Sequence, residues 1–88
     1  MPLTAKAISA LQLLPGQNDK IYFDDVMPGF GYRLRRSAGE IKRSWVVQYR
    51  RGGGTRRVLL GNAAVLSAAQ AREQAKKVLG RVALGEDP

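Results

Sequence analysis

Between Arg33 and Arg57 the chain carries nine basic residues and one acid, Glu40. A guanidinium is a planar fork of donors, so each arginine offers paired hydrogen bonds to a phosphate or to the O6/N7 edge of guanine. Gln48, in the same stretch, offers the donor and acceptor that match adenine. Other chemistry is poorly supplied. The chain has no His and no Cys, which removes imidazole proton shuttles, triads built on imidazole, disulfides and thiolate metal sites. Asp24-Asp25 is the one acidic pair in the body of the chain, and it reads as turn carboxylates ahead of Pro28-Gly29. Gly29-Phe30-Gly31 lacks the third glycine and helix start of a dinucleotide fingerprint, and Gly52-Gly53-Gly54 lacks the Lys-Ser/Thr of a P-loop. No catalytic residue, metal site, cofactor or small-molecule substrate is expected.

The elements that must position these arginines are three strands. Phe30–Arg36, Arg43–Arg50 and Thr55–Leu60 each alternate with the two-residue period of a β-strand. Phe30, Tyr32 and Leu34 share one face of the first strand, with Gly31, Arg33 and Arg35 opposite. Trp45, Val47 and Tyr49 share a face of the second, with Val46, Gln48 and Arg50 opposite. Val58 and Leu60 point inward on the third, leaving Arg57 and Leu59 outward. The connections are Ser37–Lys42, containing Gly39, and the glycine-rich hairpin loop Arg51–Gly54. A division into an aromatic–aliphatic face and an arginine–glutamine face suits an antiparallel sheet covered on one side.

A C-terminal helix supplies the cover. Ser67-Ala68-Ala69-Gln70 fits a capping box, Leu66 and Ala71 fit a hydrophobic staple, and Ala71, Ala75, Val78, Leu79 and Val82 recur as an apolar stripe. Arg72, Lys76, Lys77 and Arg81 fall off that stripe and read as a solvated flank. Gly80 is a mid-helix flaw, and Gly85 suits the C′ position. Upstream, Thr4 caps a short helix from Ala5 to about Leu11, with Ile8 and Leu11 or Leu14 on one side. Ile21–Phe23 is a short apolar run suited to an edge strand, and pairing with the sheet is left open. The expected fold is α+β: a three-stranded antiparallel sheet, with room for a fourth short edge strand, a C-terminal helix packed on it and a short N-terminal helix.

Composition agrees with a small basic domain. Eighty-eight residues allow one domain, and 44% apolar residues suffice for one thin core. The net charge of +8 suits a polyanionic partner. Residues 1–40 carry five basic and four acidic residues, residues 41–88 ten and three, so the charge sits on the second half. No apolar run is long enough to span a membrane and no secretory signal is visible, so a cytoplasmic setting and no membrane partner are expected.

Arg33, Arg35, Gln48, Arg50 and Arg57 are the residues expected at base edges or adjacent phosphates. Lys42, Arg43, Arg51 and Arg56, at strand ends and loops, are expected on the backbone. Solvation of an exposed sheet is the bland reading, but like charges across strands destabilise a sheet, and no acid is interleaved among the outward positions. Trp45, Tyr32, Tyr49 and Phe30 could stack on unpaired bases; parity puts them opposite the arginines, under the helix, which favours duplex reading over single-strand stacking. A module binding RNA, or binding protein through its sheet, remains as the alternative.

Taken in order, the pieces resemble the N-terminal arm-type DNA-binding domain of phage-like and genomic-island tyrosine recombinases (integrases). They are Phe23-Asp24-Asp25; Pro28-Gly29-Phe30-Gly31-Tyr32-Arg33-Leu34-Arg35; Ser44–Arg50; Arg56–Gly61; Leu66-Ser67 with Ala69–Arg72; and Ala83–Pro88. Asn62–Val65 departs from the pattern, where an aromatic or a proline often follows the glycine. The resemblance implies a sheet inserted in the major groove of arm-type attachment sites of a mobile element, with other integrase protomers as partners. It also implies a tyrosine nucleophile in a separate catalytic domain absent from this chain. Residues 1–88 would then be one arm-type domain, non-enzymatic by itself, with residues 84–88 beginning the linker to core-binding and catalytic domains.

Overall fold

Two turns that only a few residues tolerate set the sheet. Ala38 and Gly39 both have positive φ, 50° and 81°, as do Gly52 and Gly53, 59° and 82°. Positive φ at both central residues is the mark of a two-residue hairpin whose twist matches the strands it joins. In the computed structural model, which describes residues 2–85, the strands are β1 (Asp19–Phe23), β2 (Phe30–Ser37), β3 (Glu40–Arg51) and β4 (Gly54–Asn62). The order is β1-β2-β3-β4, antiparallel throughout. The expected connections were too long: Glu40–Lys42 and Arg51 belong to β3, because a two-residue turn lets pairing continue to Ser37↔Glu40 and Arg51↔Gly54. Ile21–Phe23 does join the sheet, and the strand begins earlier, at Asp19.

The turn between β1 and β2 depends on one glycine. Gly29 has φ +87°, and a Cβ there would lie 2.1 Å from the carbonyl oxygen of Gln48. The closeness has a use: Gln48 N–H donates to the Gly29 carbonyl at 2.8 Å, extending the β2–β3 ladder past Phe30. Near the far end of β4, Trp45 pairs with Gly61 while Val46 pairs with Leu59, so Leu60 is the extra residue of a β-bulge.

Helix α2 (Ala68–Ala83) covers one face. Its capping box is formed, with Gln70 N–H donating to Ser67 Oγ and Ser67 N–H donating to Gln70 Oε1. The cover works because alanine is small. Ala68, Ala71 and Ala75 are buried against Phe30, Tyr32, Leu34, Trp45 and Val47, with Leu66, Val78 and Leu79 packed around them. Phe30 and Trp45 stack at 5.3 Å between ring centroids, and Trp45 Nε1 donates to the Leu66 carbonyl at 2.8 Å. Burying each such side chain stabilises the fold by roughly 1.5–3 kcal/mol. Tyr32 lies deep enough that burial pushes its hydroxyl up from its ordinary value, against the nearby charge of Arg43. Between β4 and α2, Asn62 Oδ1 accepts from Ala64 N–H at 2.8 Å, closing a tight turn where the sequence departs from the family pattern.

The N-terminal segment is part of this core. Helix α1 (Ala5–Ser9), capped by Thr4, is shorter than expected; Ile8, Leu11 and Leu13 pack on the core, whereas Leu14 is exposed. Leu3 is fully buried. Its N–H donates to Asp24 Oδ1 at 2.7 Å, and its carbonyl accepts from Arg72 Nη2 at 3.0 Å. Asp24 also accepts from Val26 and Met27 N–H, 3.2 and 2.7 Å away, and Arg72 lies 3.7 Å from it and over the ring of Phe30. Arg72 is therefore no solvated flank: it leaves the helix sideways and joins Leu3, Asp24 and Phe30. Burial pushes the Asp24 carboxyl up, but the Leu3 and Met27 N–H groups, the Arg72 guanidinium and the Val26 N–H outweigh it, and its pKa falls below the ordinary 3.8.

Candidate nucleic-acid interface

Register decides which basic residues share a surface. On the face away from α2, Arg35 stands directly opposite Lys42, Arg33 opposite Ser44, Gln48 opposite Arg57, and Arg50 opposite Thr55. These six candidates, Arg33, Arg35, Lys42, Gln48, Arg50 and Arg57, come together on the open face. Arg33, Arg35, Lys42, Ser44, Arg57 and Leu59 line a groove of about 720 Å³ along it.

The other three candidates have the parity of the helix side, although Arg43 also borders the groove, as does Glu40. Arg43 pairs with Leu34, Arg56 with Tyr49 and Arg51 with Gly54, all in the parity of the core residues. None is in a loop: Arg43 and Arg56 are within strands, and Arg51 ends β3. Arg51 Nη2 donates to the Gly85 carbonyl at 2.8 Å, so this cation sits at the C-terminus of α2, where the helix dipole favours it. The hairpins being tighter than expected, Lys42 and Arg51 became strand residues, and alternation put Arg51 on the far face; Arg43 and Arg56, already within the expected strands, share the parity of Trp45 and Val58.

The open face is also less uniform than the sequence suggested. Val46, between Gly31 and Leu59 in the ladder, is 1% exposed, and Ile21 and Phe23 lie over Gly31, where a Cβ would meet Ile21 Cγ2 at 2.8 Å. An apolar strip thus crosses the arginine field, with Leu59 68% exposed at its end. Apolar side chains in a major groove contact thymine methyl groups.

An acid is interleaved after all. Asp19, brought onto the open face by β1, accepts from Arg33 Nε at 3.0 Å and from Arg33 Nη2. The hydrogen bond from Arg33, with the charges of Arg33, Arg35 and Arg57, outweighs the opposing effect of burial and holds the Asp19 carboxyl below its ordinary value; the same pairing raises Arg33. On β3 and β4, Arg57 Nε and Nη2 both donate to Gln48 Oε1 at 3.1 Å. Among the described residues Arg35, Lys42 and Arg50 have no ion pair. Sequence reasoning missed Asp19 because β1 had been started at Ile21; the alternation Asp19, Ile21, Phe23 was the available signal. No cluster of metal-ligating side chains occurs among the described residues.

A fork of donors repeated across a sheet, on the face that no helix among the described residues covers, is a surface suited to phosphate-rich polymers. No curated protein matches the chain. The profile of the Arm DNA-binding domain matches residues 3–88. That match takes in every strand and helix described above, and with it the chain belongs to the Arm DNA-binding domain family, the N-terminal arm-type DNA-binding domain of integrases.

Proposed function

We propose that this domain binds double-stranded DNA at arm-type attachment sites by laying the open face of its sheet in the major groove, as the N-terminal module of a site-specific tyrosine recombinase. The observation that carries the reading is the pair Arg35–Lys42. Two cations stand directly opposite each other in a ladder; neither has an ion pair among the described residues, and Asp19, opposite Arg35 on β1, is held by Arg33 and offsets only part of their repulsion. Such a pair destabilises the free sheet and is relieved by a polyanion. Duplex rather than unpaired nucleic acid is favoured because Phe30, Tyr32 and Trp45 are buried under α2, leaving half-exposed Phe23 on the open face, short of the two or three rings of a stacking platform. Other protomers of the recombinase would share the attachment site.

Titrating an arm-site duplex, a scrambled duplex and a duplex RNA by fluorescence anisotropy at several salt concentrations tests this. Arm-site DNA should bind tightest, with log K falling against log salt by about 0.9 per phosphate contact. Equal affinity for all three, with no salt slope, would sink the reading. Replacing Lys42 with alanine should weaken every duplex alike and reduce the salt slope by about 1.

A further inference from the structure

Arg33 and Arg57 sit on different strands and are gripped in the same way. In each, Nε and Nη2 donate to one neighbouring acceptor group: the Asp19 carboxylate for Arg33 and the Gln48 amide oxygen for Arg57. The amide must present oxygen there, since a guanidinium has no acceptor. This side-on grip uses two of the five N–H groups and leaves three, two on Nη1 and one on Nη2, for a further acceptor. One N–H on each of Nη1 and Nη2 is the pair that meets guanine O6 and N7 end-on.

We propose that Arg33 and Arg57 are the guanine readers of the open face and that Asp19 and Gln48 are the residues that position them. The proposal rests on the duplex-binding reading above and assigns base-reading within it. An arginine already ordered by a partner loses less rotamer freedom when it binds. A carboxylate on a DNA-facing surface repels phosphate, so Asp19 fits this surface through what it does to Arg33. Gln48 changes role as well: its oxygen is taken by Arg57, so it is not the adenine reader its type suggests. Arg35, Lys42 and Arg50, which have no hydrogen-bonded side-chain partner or ion pair among the described residues, are left to the phosphates.

Selection from a randomised duplex pool, followed by affinity measurement on the enriched site, tests this. The unaltered domain should enrich a site with guanines at two positions. Arg33→Lys and Arg57→Lys keep the charge but lose the fork. Each should flatten one guanine position by about tenfold to a hundredfold and leave the salt slope unchanged. Asp19→Asn should weaken preference at the Arg33 position alone, and Gln48→Leu at the Arg57 position alone. Replacing a selected guanine by 7-deazaguanine should cost the unaltered domain more affinity than it costs the matching lysine variant, which keeps a donor but not the fork. If both lysine variants select the same site with the same stringency, the assignment is overturned. If the unaltered domain binds duplexes with a salt slope but selects no guanine, the assignment fails and the duplex reading stands. If it shows no salt-dependent binding, both fail. Thermal unfolding of each variant separates loss of reading from loss of fold, and the lysine variants decide the matter even where Asp19→Asn unfolds.

Discussion

Two aspartate–arginine pairs tie distant parts of this chain together, one beneath the sheet and one on top of it. Asp24 has no exposed side-chain surface and three backbone N–H donors, with Arg72 at 3.7 Å. Asp19 keeps 43% of its side chain exposed, and Arg33 is the side chain that hydrogen-bonds to it. The residue types are the same, yet burial changes what each pair does. Under the sheet, the Asp24 carboxylate is held where water cannot replace its partners, and Arg72 is only 27% exposed, so losing one partner leaves the other poorly compensated. On the open face water can replace either partner, so the pair orients a side chain and adds little to stability.

The comparison breaks if the two sites respond alike. Asp24→Ala should destabilise the domain by about 3–5 kcal/mol, since it removes the acceptor for three N–H groups and leaves Arg72 uncompensated. Chemical denaturation measures this directly, and a loss below about 1 kcal/mol would mean the buried pair is decorative. Acid should act through the same group. The folded pKa of Asp24 lies below its ordinary 3.8, so its contribution is fully present above that value and is lost as pH falls through the folded pKa. Unfolding followed by circular dichroism should therefore show stability flat near neutrality and dropping below about pH 4, with a shallower drop in Asp24→Asn. Asp19 is shifted in the same direction and adds to the same window. Asp19→Asn at neutral pH is the smallest effect: about 0–1 kcal/mol of stability, screened by salt, with the consequence appearing in DNA preference instead.

The sheet was legible in the sequence because its signals are local. Alternation in Phe30–Arg36 and Arg43–Arg50 assigned faces correctly, and Ser67–Gln70 announced the start of α2 within four residues. The expected α+β fold stands, with β1 as the fourth strand. What alternation cannot report is which distant atom a side chain meets. Arg72 reaches Leu3 across 69 positions and Asp19 meets Arg33 across 14, and no periodicity encodes either. The strand ends had a further difficulty. Placing Lys42 and Arg51 within β3 required hairpin lengths, and Ala38, a non-glycine residue at φ 50°, gave no turn signal of its own. The linker expected at residues 84–88 falls mostly outside the described residues; Leu84 and Gly85 close α2, Gly85 at φ +89°.

The clasp at Leu3 has a consequence for how the domain opens. One leucine near the N-terminus holds a turn after β1 through its N–H and the last helix through its carbonyl. Releasing it would expose a fully buried side chain and free Asp24 and Arg72 at once. The start of α1 and the N-terminal turns of α2 are thereby one cooperative unit, and their backbone amides should exchange with solvent deuterium in a single opening event rather than as two fraying ends.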